Sequence, residues 1–486
     1  MVSHNRFDVM ILGAGPAGSV LAAQLCRKGY RVALVDRQKS PRYAIGETLP
    51  ASVGLLLKRA GVVPPDFVLD GAPTTGNLSA WGSGRVSFHP HTEDEAGRGF
   101  QVERAKFDAQ LLQAAREAGA TLFEGWLLQD FEHGGAGWQV SLRSPEGSPL
   151  QFRSSFLCDA SGRARVLARR LRLPQKISSR QLGLVGYWQA AQPGDDADGF
   201  NTLVEALPDG WVYTARLNSS QRVAGFMTDR SLPPSNLHKS AAQIYRSAIQ
   251  RSKHAKLRLR EFAWDGEARI FPAYPSLIER CCGPDWLLVG DAASTLDPLC
   301  SQGVQKAIAS ALTAATAVHT LLIHPERSAW VMDFCRERER AGFLGHLAAL
   351  GEYYRREQRF ADEPFWKQRA SLIKPAVAGE TRGQRPIALG LQDRIAPGTA
   401  TETQQRPVIE GEFVEVRPTV VSPQAGRGVR YCGDLCVPDV MNLLADQPTF
   451  QTLFSRYQRL HGGVSAAAFS KGIASLLEMR VLQRAG

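Results

Sequence analysis

The stretch DVMILGAGPAGSVLAAQLCRKGYRVALVD, from Asp8 to Asp36, decides the fold of this chain. Val9–Leu12 is a short apolar run of the kind that parallel sheets bury, and a second such run, Arg31–Val35, follows later in the stretch. Between them lie the glycine-rich turn Gly13–Gly18 and a segment with apolar residues at helical spacing. The order strand, glycine turn, helix, strand predicts a βαβ unit at the start of a parallel sheet.

The turn GAGPAG has the glycines that a dinucleotide-binding turn requires. Gly13 permits a tight turn, Gly15 lets a pyrophosphate approach the backbone, and Gly18 allows the helix to pack closely on the strand. The N-terminus of the helix offers N–H groups and a partial positive charge to phosphates. Asp36 ends the second strand 23 residues after Gly13, close to the usual spacing of about 20. Because its carboxylate can accept hydrogen bonds from ribose hydroxyls, the stretch predicts a dinucleotide site.

Length and composition describe an ordinary globular protein with a large core. The 486 residues are 44% hydrophobic and 22% charged, which favours two or three domains. No apolar run is long enough to span a membrane, and the most apolar helix candidate, Ala307–Ile323, carries Ser, Thr and His319 as a buried helix can. A strand occupies the place of a secretory signal, so we expect a cytoplasmic protein.

Basic residues exceed acidic residues, 58 to 47, which gives a formal charge of +11. Two local clusters, Arg163–Arg172 and Arg251–Arg260, contribute to this excess and could steer an acidic peptide. No nucleic-acid-binding motif accompanies them, so we expect no nucleic-acid partner. Cys432 and Cys436 form a C-x3-C pair, but no second pair or histidine cluster completes a zinc site, and no metal is predicted.

A second block, WLLVGDAASTLDPLCSQGVQKAIASAL from Trp286 to Leu312, again runs strand, turn, helix. Asp291, at the end of the strand, can bind a ribityl hydroxyl. A helix that begins near Gly303 points its positive end toward whatever precedes it, which suits the negatively charged pyrimidine end of a reduced flavin. No second GxGxxG follows a strand, and Gly134–Gly137 is typical of a hairpin turn. These features favour FAD, with no separate domain for NAD(P)H.

With these blocks the chain resembles the FAD-dependent monooxygenases of the superfamily that holds flavin-dependent tryptophan halogenases, geranylgeranyl reductases and single-component aromatic hydroxylases. The resemblance implies FAD and O2 as cofactors, with NAD(P)H or a separate flavin reductase as the electron source. Further matching elements are PRYAIGETLP (Pro41–Pro50), FQVERAKFDAQLLQAA (Phe100–Ala115), FLCDASGRARVLARRL (Phe156–Leu171) and DEPFWKQR (Asp362–Arg369).

The resemblance also implies an architecture. The fold would be α/β, with a Rossmann-type FAD-binding domain, an inserted β-sheet substrate domain and a small α+β, winged-helix-like C-terminal appendage. The expected limits are 1–180 and 270–375 for the discontinuous FAD-binding domain, 181–269 for the substrate domain, 376–405 for a linker and 406–486 for the appendage.

The resemblance places the cofactor against residues along most of the chain. Arg104 would face the flavin or its phosphates, Asp291 the ribityl chain, and Pro298–Gly303 the isoalloxazine ring. The cofactor-binding residues predicted from the motifs and the resemblance are Gly13, Gly15, Pro16, Ala17, Gly18, Asp36, Arg37, Arg42, Glu47, Arg104, Gly290, Asp291, Pro298, Ser301, Gln302 and Gly303.

Three departures from the halogenase pattern bear on the reaction. The W-x-W-x-I-P signature of halogenases keeps only its first Trp here, Trp211, with Tyr213 in place of the second. The lysine that halogenases use for hypohalous acid has no counterpart, because no lysine lies between Lys58 and Lys106. Cys300 stands where tryptophan halogenases place a Glu. We therefore expect an aromatic hydroxylase whose electrophile is the flavin hydroperoxide, with Tyr213 as the candidate catalytic or pocket-lining residue, although a core tyrosine would fit the same strand.

Within the superfamily the chain most resembles flavoproteins that hydroxylate a tryptophan of a partner polypeptide during cysteine tryptophylquinone biogenesis. The shared pattern is GETLP, DPLxSQG, pFWxxR and a C-terminal extension. A halogenase, a geranylgeranyl-reductase-like oxidoreductase and a flavin-binding partner protein without turnover stay open as alternatives. The sequence does not distinguish a free small aromatic substrate from a polypeptide, and it leaves the electron source, the oligomeric state and the role of the appendage open.

Overall fold

A computed structural model describes residues 5–39, 45–91, 98–135, 137–192, 199–229, 240–372, 389–423, 425 and 428–485. The chain divides into two compact units. The first consists of Met1–Leu322 and Gly342–Lys374, and the second of Ile323–Ala341 and Pro375–Gly486.

The strands of the first unit are mostly short. They are β1 (Arg6–Leu12), β2 (Val32–Asp36), β3 (Thr48–Leu49), β4 (Gly71–Thr74), β5 (Gly76–Ala80), β6 (Ser87–Pro90), β7 (Gly99–Val102), β8 (Thr121–Glu124), β9 (Leu127–Gly134), β10 (Gly137–Arg143), β11 (Pro149–Asp159), β12 (Gln175–Ile177), β13 (Gln181–Ala190), β14 (Thr202–Leu207), β15 (Gly210–Arg216), β16 (Gln221–Asp229), β17 (Phe262–Trp264), β18 (Arg269–Pro272), β19 (Ser276–Ile278), β20 (Trp286–Leu288) and β21 (Ser294–Thr295).

The helices of the first unit begin with the one predicted after the glycine turn. They are α1 (Pro16–Arg27), α2 (Ser52–Arg59), α3 (Arg104–Glu117), α4 (Val166–Arg170), α5 (Ala241–Arg251), α6 (His254–Arg258), α7 (Gly303–Ile323), α8 (Ser328–Arg355) and α9 (Pro364–Ala370). The helix α8 belongs to both units, because the unit boundary falls within it.

The first sheet contains the predicted βαβ unit. Its order is β8-β2-β1-β11-β10-β9, and β20 also pairs with β11. The strands β8, β2, β1 and β11 run parallel, as does the pair β11 and β20. The strands β9 and β10 are antiparallel, with Gly134 opposite Gly137, so the predicted hairpin is present. Because the parallel strands are central, Val9, Met10 and Ile11 are fully buried.

The second large sheet forms one wall of the candidate site. Its order is β17-β13-β16-β15-β14-β5-β6, and β18 also pairs with β13. This sheet also includes β5, β6 and most of β18, which lie outside the substrate segment expected at 181–269. The physical reason is that β5 pairs in parallel with β14, placing Asn77 opposite Thr202. This pairing joins the segment before residue 180 to the sheet.

The helix α7 is the one described helix whose length and composition would allow it to cross a membrane. That is weak evidence, since core helices pass the same test. Ile308, Ala311 and Val318 of this helix are buried in the first unit. The first residue of the helix, Gly303, lies at the candidate site.

The second unit packs short strands and helices around its own apolar core. Its elements after residue 388 are β22 (Ile395–Pro397), β23 (Glu402–Glu410), β24 (Phe413–Val421), β25 (Tyr431–Cys432), β26 (Leu435–Cys436), α10 (Val437–Asn442), α11 (Phe450–His461), α12 (Ala466–Glu478) and β27 (Leu482–Arg484). Leu453, Phe469 and Ile473 are fully buried in this core. The unit also includes Ile323–Ala341, which the expected limits gave to the FAD-binding domain.

Candidate functional site

The glycine turn between β1 and α1 has the close backbone contacts that its sequence predicts. Gly13 has a φ of +99°, and a Cβ there would lie 2.5 Å from the carbonyl oxygen of Ala160. A Cβ on Gly18 would lie 1.8 Å from the carbonyl oxygen of Gly13. The helix α1 begins at Pro16, after Gly15, and no side chain caps it. The first N–H groups of α1 therefore receive no hydrogen bond from a capping side chain, which suits a phosphate.

Asp36, at the end of β2, stabilises the glycine turn by a hydrogen bond. Its carboxylate accepts a hydrogen bond from the N–H of Ala14, 2.7 Å away, and another from the N–H of Gln38, 2.9 Å away. The same carboxylate is the group predicted to accept bonds from an adenosine ribose. The neighbouring Arg37 is exposed. Asp36 and Arg37 thus differ in their contacts with the turn although they are adjacent in the chain.

We expect the Asp36→Ala variant to bind FAD roughly tenfold more weakly than the wild type, and Arg37→Ala to bind it nearly as well. Losing a hydrogen bond to a charged group costs about 1.5–3 kcal/mol, and each 1.4 kcal/mol is about a factor of ten in dissociation constant. Titration of the apoprotein with FAD gives both constants. Equal affinities for the two variants would contradict the assignment of Asp36 to the ribose.

A cavity of about 320 Å³ lies between the glycine turn, the second sheet and the turn before α7. It brings together predicted residues that are far apart in the sequence: Gly15, Pro16, Ala17, Glu47, Arg104, Tyr213, Asp291, Pro298, Ser301 and Gly303. Other predicted residues do not line it: Gly13, Gly18, Asp36, Arg37, Gly290 and Gln302. Arg42 lies outside the described residues.

The turn Gly290–Asp291 is held by Lys306, a residue that the sequence analysis missed. The ammonium of Lys306, on α7, donates to the carbonyl oxygen of Gly290 at 2.6 Å and to that of Ser294 at 2.8 Å. Gly290 has a φ of +62°, which a residue with a side chain rarely adopts. Asp291 lines the cavity, and its carboxylate lies 3.7 Å from the guanidinium Nε of Arg163. The spacing of Lys306 from Gly303, one helical turn, could have indicated this role.

Arg104 lines the cavity, but its guanidinium is held mainly by protein groups. Its Nε and Nη2 donate to the carboxylate of Asp108, 3.0 and 3.2 Å away, because both residues lie one turn apart on α3. Its Nη1 donates to the carbonyl oxygen of Ile45. Arg104 therefore braces the loop that carries Glu47, in addition to facing the cavity.

Glu47 is a buried carboxyl group on the cavity wall. Its Oε1 accepts from the hydroxyl of Tyr187, and its Oε2 from the N–H of Gly46, both at 3.0 Å. Burial raises the pKa of Glu47, and hydrogen bonds together with the charge of Arg104 oppose part of that rise. The group is thus placed to hold a proton more readily than an exposed glutamate.

Aromatic rings from the second sheet form the opposite wall. Trp211, Tyr213 and Phe271 all line the cavity. The ring of Tyr213 lies across Gly225 of the paired strand, where a Cβ would come within 2.1 Å of it. Phe271 lies across Gly183 in the same way, with 2.2 Å to a Cβ. The glycines make room for the rings, so the wall offers flat apolar faces suited to an aromatic ligand.

The residues present fit FAD. The glycine turn leaves the space that a diphosphate needs, because a Cβ at Gly13 or Gly18 would collide with backbone. Near Asp291, Arg165 is 5% exposed and its Nε has no hydrogen-bond partner in the structure. Burial, followed by the charge of the neighbouring Arg163, lowers the pKa of Arg165, and the charge of Asp291 opposes only part of that shift. A bound phosphate-bearing cofactor would offset that positive charge.

Fold and site together define an FAD-binding flavoprotein. The chain belongs to this family, because the model of the FAD binding domain matches residues 6–339. The protein is accordingly an FAD-dependent oxidoreductase of the halogenase and hydroxylase superfamily, with a mixed α/β FAD-binding fold like that of flavin-dependent halogenases. O2 and a supply of reduced flavin are typical of these enzymes.

Named relatives of the chain include both halogenases and a hydroxylase. A tryptophan 2-halogenase of Chondromyces crocatus is 30% identical over 375 residues, which covers 74% of this chain and 69% of the relative. The crystal structure of CmlS, a flavin-dependent halogenase, superposes with a TM-score of 0.79 at 21% identity, covering 99% of this chain and 96% of the other. The peptidyl tryptophan dihydroxylase QhpG, essential for tryptophylquinone cofactor biogenesis, gives 0.69 at 24% identity, covering 98% and 99%. At these identities the two structures show the fold alone.

Proposed function

We propose that the protein uses reduced FAD and O2 to hydroxylate an electron-rich aromatic ring, and that this ring is the indole of a tryptophan in a partner polypeptide. NAD(P)H or a separate flavin reductase would supply the electrons. The aromatic wall of the cavity supports an aromatic substrate, and the chemistry of its lining supports hydroxylation.

One observation favours hydroxylation over halogenation. Among the described residues that line the cavity, none is a lysine, whereas the halogenase pattern requires one for hypohalous acid. The ammonium of Lys306, on α7, does not line the cavity. It donates hydrogen bonds to the carbonyl oxygens of Gly290 and Ser294. Hydroxylation needs less from the protein, because the site has to orient the ring and exclude water.

The cavity residues can be given roles in this reaction. Bound FAD supplies the oxygen chemistry. Trp211, Tyr213 and Phe271 would hold the substrate ring by its faces, while Leu299 and Val304, which also line the cavity, would exclude water from the reacting atoms. These side chains make positioning the main contribution of the protein to the reaction.

Halogenation is the second candidate, and the named relatives favour it. A tryptophan 2-halogenase is 30% identical to the chain, and flavin-dependent halogenases are frequent among the other relatives. The two candidates share FAD, O2 and an aromatic substrate. They differ in whether oxygen or a halogen is added to the ring, which the mass of the product decides.

The shared fold with a peptidyl tryptophan dihydroxylase supports a polypeptide substrate. The likeness covers 98% of the chain and therefore includes its C-terminal residues. These residues, which we propose form a winged-helix-like appendage, would serve as a platform for the polypeptide. The basic clusters Arg163–Arg172 and Arg251–Arg260 would attract acidic segments of it.

We expect oxygen atoms to be added to a tryptophan of a polypeptide, and free phenols or indoles to react poorly. The assay supplies FAD, NAD(P)H or a flavin reductase, O2 and either tryptophan-bearing polypeptides or small aromatics, with mass spectrometry of the products. Binding of an acidic polypeptide should weaken as ionic strength rises above about 0.1 M, where charges are screened beyond about 10 Å. Efficient turnover of free phenols or indoles without modification of any polypeptide would contradict the substrate assignment and leave a general aromatic hydroxylase.

A further inference from the structure

One buried hydroxyl group forms hydrogen bonds with both walls of the cavity. It belongs to Tyr354, near the end of α8, which is 1% exposed. The indole Nε1 of Trp211 donates to this hydroxyl at 3.0 Å. The hydroxyl in turn donates toward the carboxylate Oδ2 of Asp297, 3.3 Å away. Trp211 belongs to the aromatic wall, and Asp297 begins the turn before α7, so the hydroxyl bridges two parts of the chain that both face the cavity.

Asp297 sets the conformation of that turn. Its Oδ1 accepts from the N–H of Leu299 at 3.0 Å, which caps the short helical turn Pro298–Cys300. Its own N–H donates to Nε2 of His346 at 3.2 Å. Burial lowers the pKa of His346 to about 4, so the ring is neutral near pH 7 and can keep accepting this bond. Leu299 and Pro298 line the cavity, and their placement therefore depends on Asp297.

The hydroxyl of Tyr354 is also linked, through Gln181, to a buried arginine. Arg369, on α9, is fully buried and pairs with Asp229 at 2.6 Å. Its Nε donates to Oε1 of Gln181 at 2.8 Å, and that oxygen lies 3.5 Å from the hydroxyl of Tyr354. Because Arg369, Gln181 and Tyr354 are buried and hydrogen-bonded, the cluster has little freedom to rearrange without leaving a polar group unsatisfied.

A substrate ring in this cavity has to fit between Trp211 and the turn that Asp297 begins. The relative position of these two walls is then the quantity that determines how closely the ring approaches the cofactor. The hydroxyl of Tyr354 bonds to both walls. Two other contacts also link them, because Leu299 packs in the cluster that contains Trp211 and the side chain of Gln181, on β13, hydrogen-bonds to Asp297. Small errors in such a distance have large effects on rate, since a misplacement of about 1 Å can cost roughly a hundredfold.

We propose that Tyr354 is a positioning residue whose hydroxyl fixes the Trp211 indole relative to the Asp297–Ser301 turn, and so determines whether oxygen is transferred to the substrate or lost as hydrogen peroxide. The inference rests on the proposed function, because the proposed function places the aromatic substrate in this cavity. Tyr354 itself belongs to none of the motifs, and the resemblance did not assign it to the site.

The Tyr354→Phe variant tests this, because it removes the hydroxyl and keeps the ring that packs on Phe365 and Trp366. Tyr353→Phe is the matched control. It removes the hydroxyl of the adjacent tyrosine, whose recorded contacts with Trp81 are through the ring and the backbone carbonyl. Both full-length variants are loaded with FAD, reduced without oxygen and mixed with O2 and N-acetyltryptophanamide or a tryptophan-bearing polypeptide.

In such a single turnover each reduced FAD yields either an oxygenated product and water or hydrogen peroxide. We expect Tyr354→Phe to lower the oxygenated fraction by roughly tenfold, with hydrogen peroxide rising to match, while FAD affinity stays within about twofold and Tyr353→Phe resembles the wild type. The visible spectrum of oxidised FAD should also shift in Tyr354→Phe alone, since the turn facing it moves. Unchanged product fraction and spectrum, with only a lower melting temperature, would show that the hydroxyl is merely structural and overturn the proposal.

Two further arms separate the outcomes. If Tyr354→Phe does not fold, Trp211→Phe removes the other end of the same hydrogen bond. Because Trp211 also faces the substrate, the readout for this variant is the spectrum of oxidised FAD without substrate, which should shift as expected for Tyr354→Phe and which, if unchanged, would overturn the proposal. If the wild type oxygenates no aromatic compound, the proposed function fails, and the spectrum of oxidised FAD alone decides on Tyr354. A shift in Tyr354→Phe that is absent in Tyr353→Phe would then support the link between the two walls, and identical spectra would refute it.

Discussion

Replacing Gly18 with alanine is expected to weaken FAD binding by roughly a hundredfold and to destabilise the first unit. The new Cβ would lie 1.8 Å from the carbonyl oxygen of Gly13 and 3.3 Å from the Cβ of Ala160. The first of these atoms belongs to the backbone, so α1 itself has to move away from β1. Overpacking of this kind costs about 1–3 kcal/mol or more in folding stability, and a loss of about 3 kcal/mol in binding is roughly a hundredfold in dissociation constant.

The matched control for this variant is Gly342→Ala. Gly342 is also a helical glycine, on α8, but it is exposed and a Cβ there would meet nothing within 4 Å. Alanine stabilises a helix interior by about 0.5–1 kcal/mol relative to glycine, so this variant should bind FAD normally and melt no earlier. Calorimetry and FAD titration measure both effects. Normal FAD affinity in Gly18→Ala would contradict the role given to the glycine turn.

The Gly225→Ala variant is expected to lose at least about tenfold in kcat/KM toward its aromatic substrate while still binding FAD. A Cβ on Gly225 would lie 2.1 Å from the ring of Tyr213, and 2.9 Å from two further atoms of that ring. A rigid ring cannot bend away, so it has to rotate or shift within the wall of the cavity. Displacement of the wall by this amount misplaces the substrate relative to the cofactor.

Two comparisons isolate this effect. Gly134→Ala, on β9 of the other sheet, adds a Cβ that meets nothing within 4 Å and should change neither binding nor turnover. The double variant Gly225→Ala with Tyr213→Leu removes the clashing ring and should be less impaired than the sum of the two single changes, since neighbouring substitutions that share a contact are not additive. Loss of FAD from Gly225→Ala would show instead that the second sheet supports the cofactor site.

The parts of the site that the sequence predicted are those in which chemistry and spacing are local. The turn Gly13–Gly18 and the acid Asp36 belong to one βαβ unit, and Asp291 and Gly303 to one strand-turn-helix block. In each case a short segment forms its own geometry, because tight turns need glycine and a helix N-terminus follows its turn directly. The cavity accordingly contains Gly15, Asp291 and Gly303.

The parts that the sequence did not predict depend on pairing between distant segments. The sheet that faces the cavity includes β5 because Asn77 pairs with Thr202. A local sequence pattern does not predict pairing between segments so far apart in the chain. Tyr354 meets Trp211 and Asp297 only in the folded unit. One signal was available. Glycine recurs within the apolar strands β13 and β16, where it weakens a strand unless a ring or another backbone needs the room.

The most direct test of the central claim is the mass of the product formed with oxygen-18 gas and bromide present together. The protein, with FAD and a reductant, is given tryptophan-bearing polypeptides and N-acetyltryptophanamide, and the products are analysed by mass spectrometry. Hydroxylation by an enzyme whose cavity has the aromatic wall, and whose described lining residues include no lysine, predicts a product that carries the oxygen label and no bromine. A brominated product, recognised by its isotope pattern, would contradict that account and establish the halogenase alternative.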